Sequence, residues 1–125
     1  MEDLKPVYIV SLGPGEAGLI SLIGGATLCQ ANAIFCPKTN TRSRSSVLLK
    51  ELKIKKEAIR HYTLPMSKKR EMAYEAYDKV FEEIVSLYSE GLCVAIVAEG
   101  DAGFYSSTSY LVGRLKKAGI PIKQI

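Results

Sequence analysis

Val7-Tyr8-Ile9-Val10-Ser11-Leu12-Gly13-Pro14-Gly15-Glu16-Ala17-Gly18 decides the fold. An apolar run rich in β-branched residues stops at a glycine turn, and a helix-forming segment follows at once. This is the opening of a βαβ unit, which sets backbone N–H groups and a helix N-terminus above the carboxyl end of the first strand. Glycines at such a turn remove Cβ and permit positive φ, so the main chain can approach a ligand closely. Gly13, Gly15 and Gly18 satisfy G-x-G-x-x-G, but a dinucleotide-binding domain also needs an acidic residue at the end of its second strand to hold the ribose. The second strand here, Ala33-Ile34-Phe35-Cys36, runs into Pro37-Lys38 without a carboxylate. Pro14 also removes one N–H from a pyrophosphate cradle. Both points argue against a nicotinamide or flavin. The motif alone leaves two readings open, a different ligand or a tight turn with none.

Working outward, β and α signals alternate. Residues 19–29 read as a buried helix, with Leu19, Leu22, Ile23 and Ala26 on the apolar period. The Gly24-Gly25 pair costs helix propensity, about 1 kcal/mol per glycine, which a close approach to the sheet would explain. After strand two (33–36), a polar loop carries Arg42 and Arg44, with a serine cap for a helix over 47–53. A short third strand is expected over 58–62, and a long helix over 68–90. In that helix Tyr74, Tyr77, Phe81, Ile84 and Tyr88 recur at helical spacing and read as a core stripe. Lys68, Lys69 and Arg70 set three cations in its first turn, against the dipole, either solvated or balanced by an anion.

Gly91 stops the helix. Leu92-Cys93-Val94-Ala95-Ile96-Val97-Ala98 is apolar on both faces, as a central parallel strand must be. It breaks at Glu99-Gly100-Asp101-Ala102-Gly103, a helix follows over 105–118, and Ile120 opens a fifth strand. The alternation predicts an α/β domain, a three-layer α/β/α arrangement around a five-stranded parallel sheet.

Composition agrees with one domain over residues 1–125 that buries a core without staples. No apolar run approaches the roughly 18 residues needed to span a membrane, and Met1 to Lys5 lacks the basic start and apolar centre of a signal peptide. No membrane association is expected, and the cytoplasm is the default location. Cys29, Cys36 and Cys93 are widely spaced, with no metal-ligand pattern, so neither zinc nor a disulfide framework is supported. Cys36 and Cys93 read as small buried hydrophobes, and His61, the single histidine, as a structural or surface residue. The net charge of +4 gathers in patches, among them Lys50, Lys53, Lys55 and Lys56. Aromatics are not interleaved with these patches as on a single-strand nucleic-acid platform, so no nucleic-acid partner is expected. The patches are either solvated surface or a match for an acidic small molecule.

In such a sheet, ligands bind beyond the carboxyl ends of the strands, where strand order switches. Three loops converge there: Gly13-Pro14-Gly15, the Arg42/Arg44 loop and Glu99-Gly100-Asp101. Asp101 has two readings, an acceptor for a ribose or ammonium group and the N-cap of the following helix.

Gly13-Pro14-Gly15-Glu16 after strand one and Glu99-Gly100-Asp101-Ala102-Gly103-Phe104-Tyr105-Ser106 after strand four together resemble the tetrapyrrole methylase family. Its members transfer a methyl group from S-adenosylmethionine to a macrocycle in cobalamin and sirohaem synthesis. Leu64-Pro65-Met66-Ser67-Lys68 and Phe104 to Leu111 are most similar to the branch that methylates C20 of precorrin-2 or cobalt-factor II. The resemblance covers the whole chain but only the N-terminal half of a family protein, whose second α/β domain follows a Pro-Gly turn after strand five. It implies an S-adenosylmethionine site at Gly13, Pro14, Gly15, Glu99, Gly100, Asp101, Phe104 and Ser106, and a homodimer for the full-length protein. A small tetrapyrrole is the implied substrate. Because Arg42, Arg44, Lys68, Lys69 and Arg70 fall on loops expected to reach the crevice, at least one of Arg42 and Arg44 is expected to grip one of its acid groups, the other reading being solvated surface. The family's usual Gly-Asp-Pro is Gly100-Asp101-Ala102 here. No residue is singled out for acid–base catalysis, and residues 1–125 alone are expected to fold without turnover. The alternatives are another ring position, uroporphyrinogen III, or a non-catalytic nucleotide-binding module.

Overall fold

The computed structural model describes residues 5–11, 22–38, 49–50, 52–63, 70–98 and 102–125. Over them the chain runs β1 (Val7–Ser11), α1 (Leu22–Gln30), β2 (Ala33–Lys38), a 3₁₀ turn (Lys56–Ala58), β3 (Ile59–Thr63), α2 (Arg70–Ser89), β4 (Val94–Ala98), α3 (Ala102–Lys117) and β5 (Ile122–Gln124). The strands form one sheet in the order β3-β2-β4-β1-β5, every pair parallel. The expected five-stranded parallel α/β architecture is what the chain adopts, with β4 at the centre.

Period-two alternation sorts the strand side chains into two cores. Val7, Ile9, Ala33, Phe35, Val94 and Ile96 meet Tyr77, Val80 and Ile84 of α2 and Leu111 and Leu115 of α3. The intervening positions Val10, Ile34, Cys36, Ala95 and Val97 meet Leu28 of α1 together with Leu49. Both faces are therefore buried, which is why β2 and β4 read as continuous apolar runs. Four members of the stripe on α2 behave as core: Tyr77 and Ile84 are buried, and Phe81 and Tyr88 pack half-buried against the same cluster, while the Tyr74 side chain lies outside what is described.

Four details differ from the sequence reading. Ile23 is 68% exposed and Ala26 also faces solvent, whereas Gly24 and Leu28 are the buried positions of α1. This helix carries no charged residue, so its apolar period had no polar face to orient it. A Cβ on Gly25 would meet nothing within 4 Å, so packing does not require the second glycine of the pair. Cys93 is only half-buried, and its partial burial pushes the thiol above its ordinary value, against the opposing effect of Lys5. Third, β2 continues through Pro37 to Lys38; its pairing with β4 ends at Phe35–Ile96, and Pro37 lies beside Tyr62 of β3 alone. A proline is tolerated where it interrupts no ladder bond. Last, α3 begins at Ala102, three residues before the expected start.

Helix ends use one device three times. Leu92 N–H donates to Leu87 O at 3.2 Å and Gly91 N–H to Tyr88 O at 3.0 Å. Ile120 and Gly119 repeat the pattern on Leu115 and Lys116, and Ile54 and Lys53 on Leu49 and Lys50. The motif needs a left-handed residue, supplied by Gly91 (φ 83) and Gly119 (φ 80), but at the third site by Lys53 (φ 59). A side chain in that region pays a steric cost that glycine avoids. Lys53→Gly should raise stability by about 0.5–1 kcal/mol, after the entropy glycine adds to the unfolded chain. Chemical denaturation checks this, and a loss of stability would contradict it.

Among the described residues, two ion pairs tie α2 to its neighbours. Arg60 of β3 meets Glu83 at 2.6 Å. Asp78 Oδ1 accepts from Arg114 Nη1 at 2.7 Å and from the Tyr110 hydroxyl at 2.8 Å, both on α3. The Arg114 guanidinium also lies over the Phe81 ring, 4.5 Å from its centroid. The bond to Asp78 requires a protonated phenol and pushes the Tyr110 hydroxyl above its ordinary value. These contacts lock α3 onto α2 and so fix the direction in which α3 projects from the tip of β4.

Candidate functional site

The site begins with the register of the two central strands. Ser11, the last residue of β1, is the partner of Ala98, the last residue of β4. β1 and β4 therefore end at adjacent points on the carboxyl edge of the sheet, ahead of residues 12–21 and 99–101, which lie outside the described residues. They lead to opposite faces, because α1 packs through Leu28 into one core and α3 through Leu111 and Leu115 into the other. Adjacent parallel strands whose connections diverge in this way define the crevice at a topological switch point. β2, the other neighbour of β4, ends at Lys38 on the same edge.

The chemistry available at that edge is set by helix ends. α3 starts within four residues of the end of β4, and the first turn of a helix offers N–H groups without intrahelical partners at the positive end of its dipole. No acidic residue occupies that first turn, and Asp101 directly precedes it in the sequence.

The sequence-assigned residues divide as follows. Gly13, Pro14, Gly15, Arg42, Arg44, Glu99, Gly100 and Asp101 lie outside the described residues, as do Lys68 and Lys69. Phe104 and Ser106 fall in the first turns of α3. Residues two apart on a helix point to different sides, so these two positions are on different sides of α3. Among the described residues no group of three or more His, Cys, Asp and Glu is arranged to hold a metal, and no helix is long and apolar enough to cross a membrane.

A second concavity escaped the sequence reading. It is a cleft of about 460 Å³ lined by Lys50, Ile54, Lys56, Ile59 and His61. Ile59 and His61 alternate on β3 opposite Ile34 and Cys36, so the cleft lies on the α1 side of the sheet, along its outer strand. The signal was present in the sequence as i, i+2 alternation on a strand that follows a lysine-rich turn.

A parallel sheet with this switch point belongs to the doubly wound α/β class, in which ligands bind outside the carboxyl ends of the strands. The chain belongs to the family of tetrapyrrole (corrin/porphyrin) methylases, whose family model matches residues 6–125. It is 28% identical over 122 residues to a probable cobalt-precorrin-2 C(20)-methyltransferase of Methanocaldococcus jannaschii, covering 96% of this chain and 51% of that protein. The solved structure of a cobalamin biosynthetic enzyme, cobalt precorrin-4 methyltransferase (CbiF), superposes with a TM-score of 0.69 at 22% identity, over 96% of this chain and 44% of that one. The chain thus spans about half the length of the relatives it matches.

Proposed function

We propose that this chain is the cofactor-holding domain of an S-adenosylmethionine-dependent methyltransferase that acts on a tetrapyrrole in cobalamin biosynthesis, with C20 of precorrin-2 or cobalt-factor II as the acceptor. The observation that carries the reading is the Ser11–Ala98 register, because the two strands leading into the two glycine motifs end side by side. The name of the M. jannaschii relative supports the ring position.

The donor set fits the cofactor. The N–H groups that open α3 suit the carboxylate of its amino-acid portion. Glu99 and Asp101 offer acceptors for the ribose hydroxyls and the ammonium group, and Pro14 a rigid apolar surface beside them. Gly13, Gly15 and Gly100 allow close approach of the backbone. What S-adenosylmethionine supplies there is a methyl group on a cationic sulfur, already activated for in-line attack by an electron-rich macrocycle carbon. No paired general acid and base is then needed from the protein. Its contribution is to hold two reactants in line and keep water out, which is worth several kcal/mol of barrier, on the order of 7–11 for ideal alignment.

Arg42 and Arg44 are proposed to grip carboxylates on the macrocycle rim, since the planar guanidinium can form two parallel bonds to one carboxylate. In a protein carrying this chain followed by a second α/β domain of the family, replacing both with Gln should raise the tetrapyrrole KM, more at low salt, while cofactor affinity stays constant. An unchanged KM across ionic strengths would return both to the solvated surface.

The test of the function as a whole is a methylation assay of that protein with precorrin-2 and with cobalt-factor II, reading the methylated carbon by NMR. Transfer to C20 is expected. Transfer to another carbon would move the chain to another branch of the family, and cofactor binding without transfer to any tetrapyrrole would favour a non-catalytic module. Residues 1–125 alone should fold and show no turnover.

A further inference from the structure

We propose that the cleft along β3 is a binding site for a small organic anion, an apolar ring or chain carrying either a phosphate monoester or two carboxylates. Its position follows from how the sheet is covered. On one face β3 is capped by α2, through Arg60–Glu83 and through Tyr62 in the core. On the other face the cover is the segment that carries Leu52 and Ile54, and beside it the cleft remains. Its volume, about 460 Å³, is that of a small-molecule site. The crevice at the tips of β1 and β4 is a different place, since β2 separates β3 from β4.

The lining sets the ligand class. Lys50, Lys56 and His61 are the polar groups around the cleft, and no carboxylate lines it among the described residues. Neither lysine forms an ion pair among those residues, although Glu57 stands exposed beside Lys56. Ammonium groups gathered around one concavity repel each other, and an anion between them turns that repulsion into attraction. Ile54 and Ile59, both half-buried, form an apolar floor. A bare inorganic ion would gain nothing from that floor, whereas an anion with an apolar body gains from both parts of the lining.

The single histidine makes the test site-specific, because its ring gives one Cε1–Hε1 signal in a ¹H–¹³C spectrum. The 125-residue chain is titrated with phenyl phosphate, isophthalate and inorganic phosphate while that signal is followed. A saturable shift is expected with the two ring-bearing anions, at several-fold lower concentration than with inorganic phosphate. Tighter binding of phenyl phosphate would assign a phosphate monoester, and tighter binding of isophthalate a dicarboxylate. Lys50→Gln combined with Lys56→Gln should weaken binding at least roughly tenfold, as two lost charge contacts require. Lys116→Gln, at the exposed end of α3, should leave it unchanged. Both cleft lysines are exposed, so the double variant keeps its fold. The absence of a saturable shift in the wild-type chain would overturn the proposal, as would equal affinity in the double variant.

Discussion

Phe35→Ala should cost about 3–5 kcal/mol of folding stability, the range found for emptying an aromatic site in a packed core. Phe35 is 1% exposed, sits on β2 between β3 and β4, and faces the cluster built with α2 and α3. Its partners in the register are Ile96 and Arg60, so removing the ring opens a void that rigid strands on both sides cannot close. A domain of this size has roughly 5–15 kcal/mol in total, so the variant should lose about a fifth or more of its stability. Urea denaturation at constant m-value measures the change. Ile23→Ala is the contrast: an equally apolar residue at 68% exposure should cost no more than about 0.5 kcal/mol. A loss under about 1 kcal/mol at Phe35 would mean that the core repacks around the gap.

That contrast also explains which parts of the fold were legible. β4 was readable because burial on both faces leaves no place for a polar residue between Val94 and Val97. α2 was readable because its charged residues mark the solvent side and its aromatics the inner one. α1 offers no such mark: with no charge on it, hydrophobicity is nearly uniform around the helix, and Ile23 was assigned inward when it points out. The early start of α3 was hidden by Gly103, a poor helix former that stands one residue after Ala102 and so resembles part of the turn. Strand order cannot be read from local pattern at all. β4 enters between β2 and β1, and that choice is made by long-range packing.

Strand order is nevertheless what gives the site its meaning. The two glycine motifs are about 85 residues apart in sequence, and each alone fits an ordinary turn. The pairing of Ser11 with Ala98 ends the two strands that lead toward them side by side. The cleft at β3 shows the opposite case: its lysines were visible as a basic patch and His61 as an isolated residue. Only the fold brings Lys50, Lys56 and His61 around one concavity, because the turn through Lys53 and Ile54 folds back before β3 begins.

Asp101→Ala should weaken S-adenosylmethionine binding by about 1–3 kcal/mol, roughly 5- to 150-fold, as expected for losing a hydrogen bond to an ionised acceptor. The start of α3 at Ala102 sharpens the rival explanation, because residue 101 directly precedes the helix in the sequence, where a capping aspartate is expected. Loss of a cap alone would lower stability by about 1 kcal/mol and leave cofactor affinity intact. A carboxylate has two oxygens, so a single Asp101 can serve the helix with one and a ligand with the other. Asp101→Asn separates the roles, since asparagine caps a helix as well as aspartate but carries no charge for an ammonium group and donates where aspartate only accepts. If Asp101 holds the cofactor, the Asn variant should melt like the wild type yet bind S-adenosylmethionine more weakly, with Ala weaker in both respects. If it only caps α3, the Asn variant should match the wild type in both. Titration calorimetry beside thermal melts, on the protein that carries this chain and a second α/β domain, distinguishes them. Unchanged affinity in both variants would remove Asp101 from the cofactor site and leave the N–H groups of α3 and the glycine turn after β1 to hold the ligand.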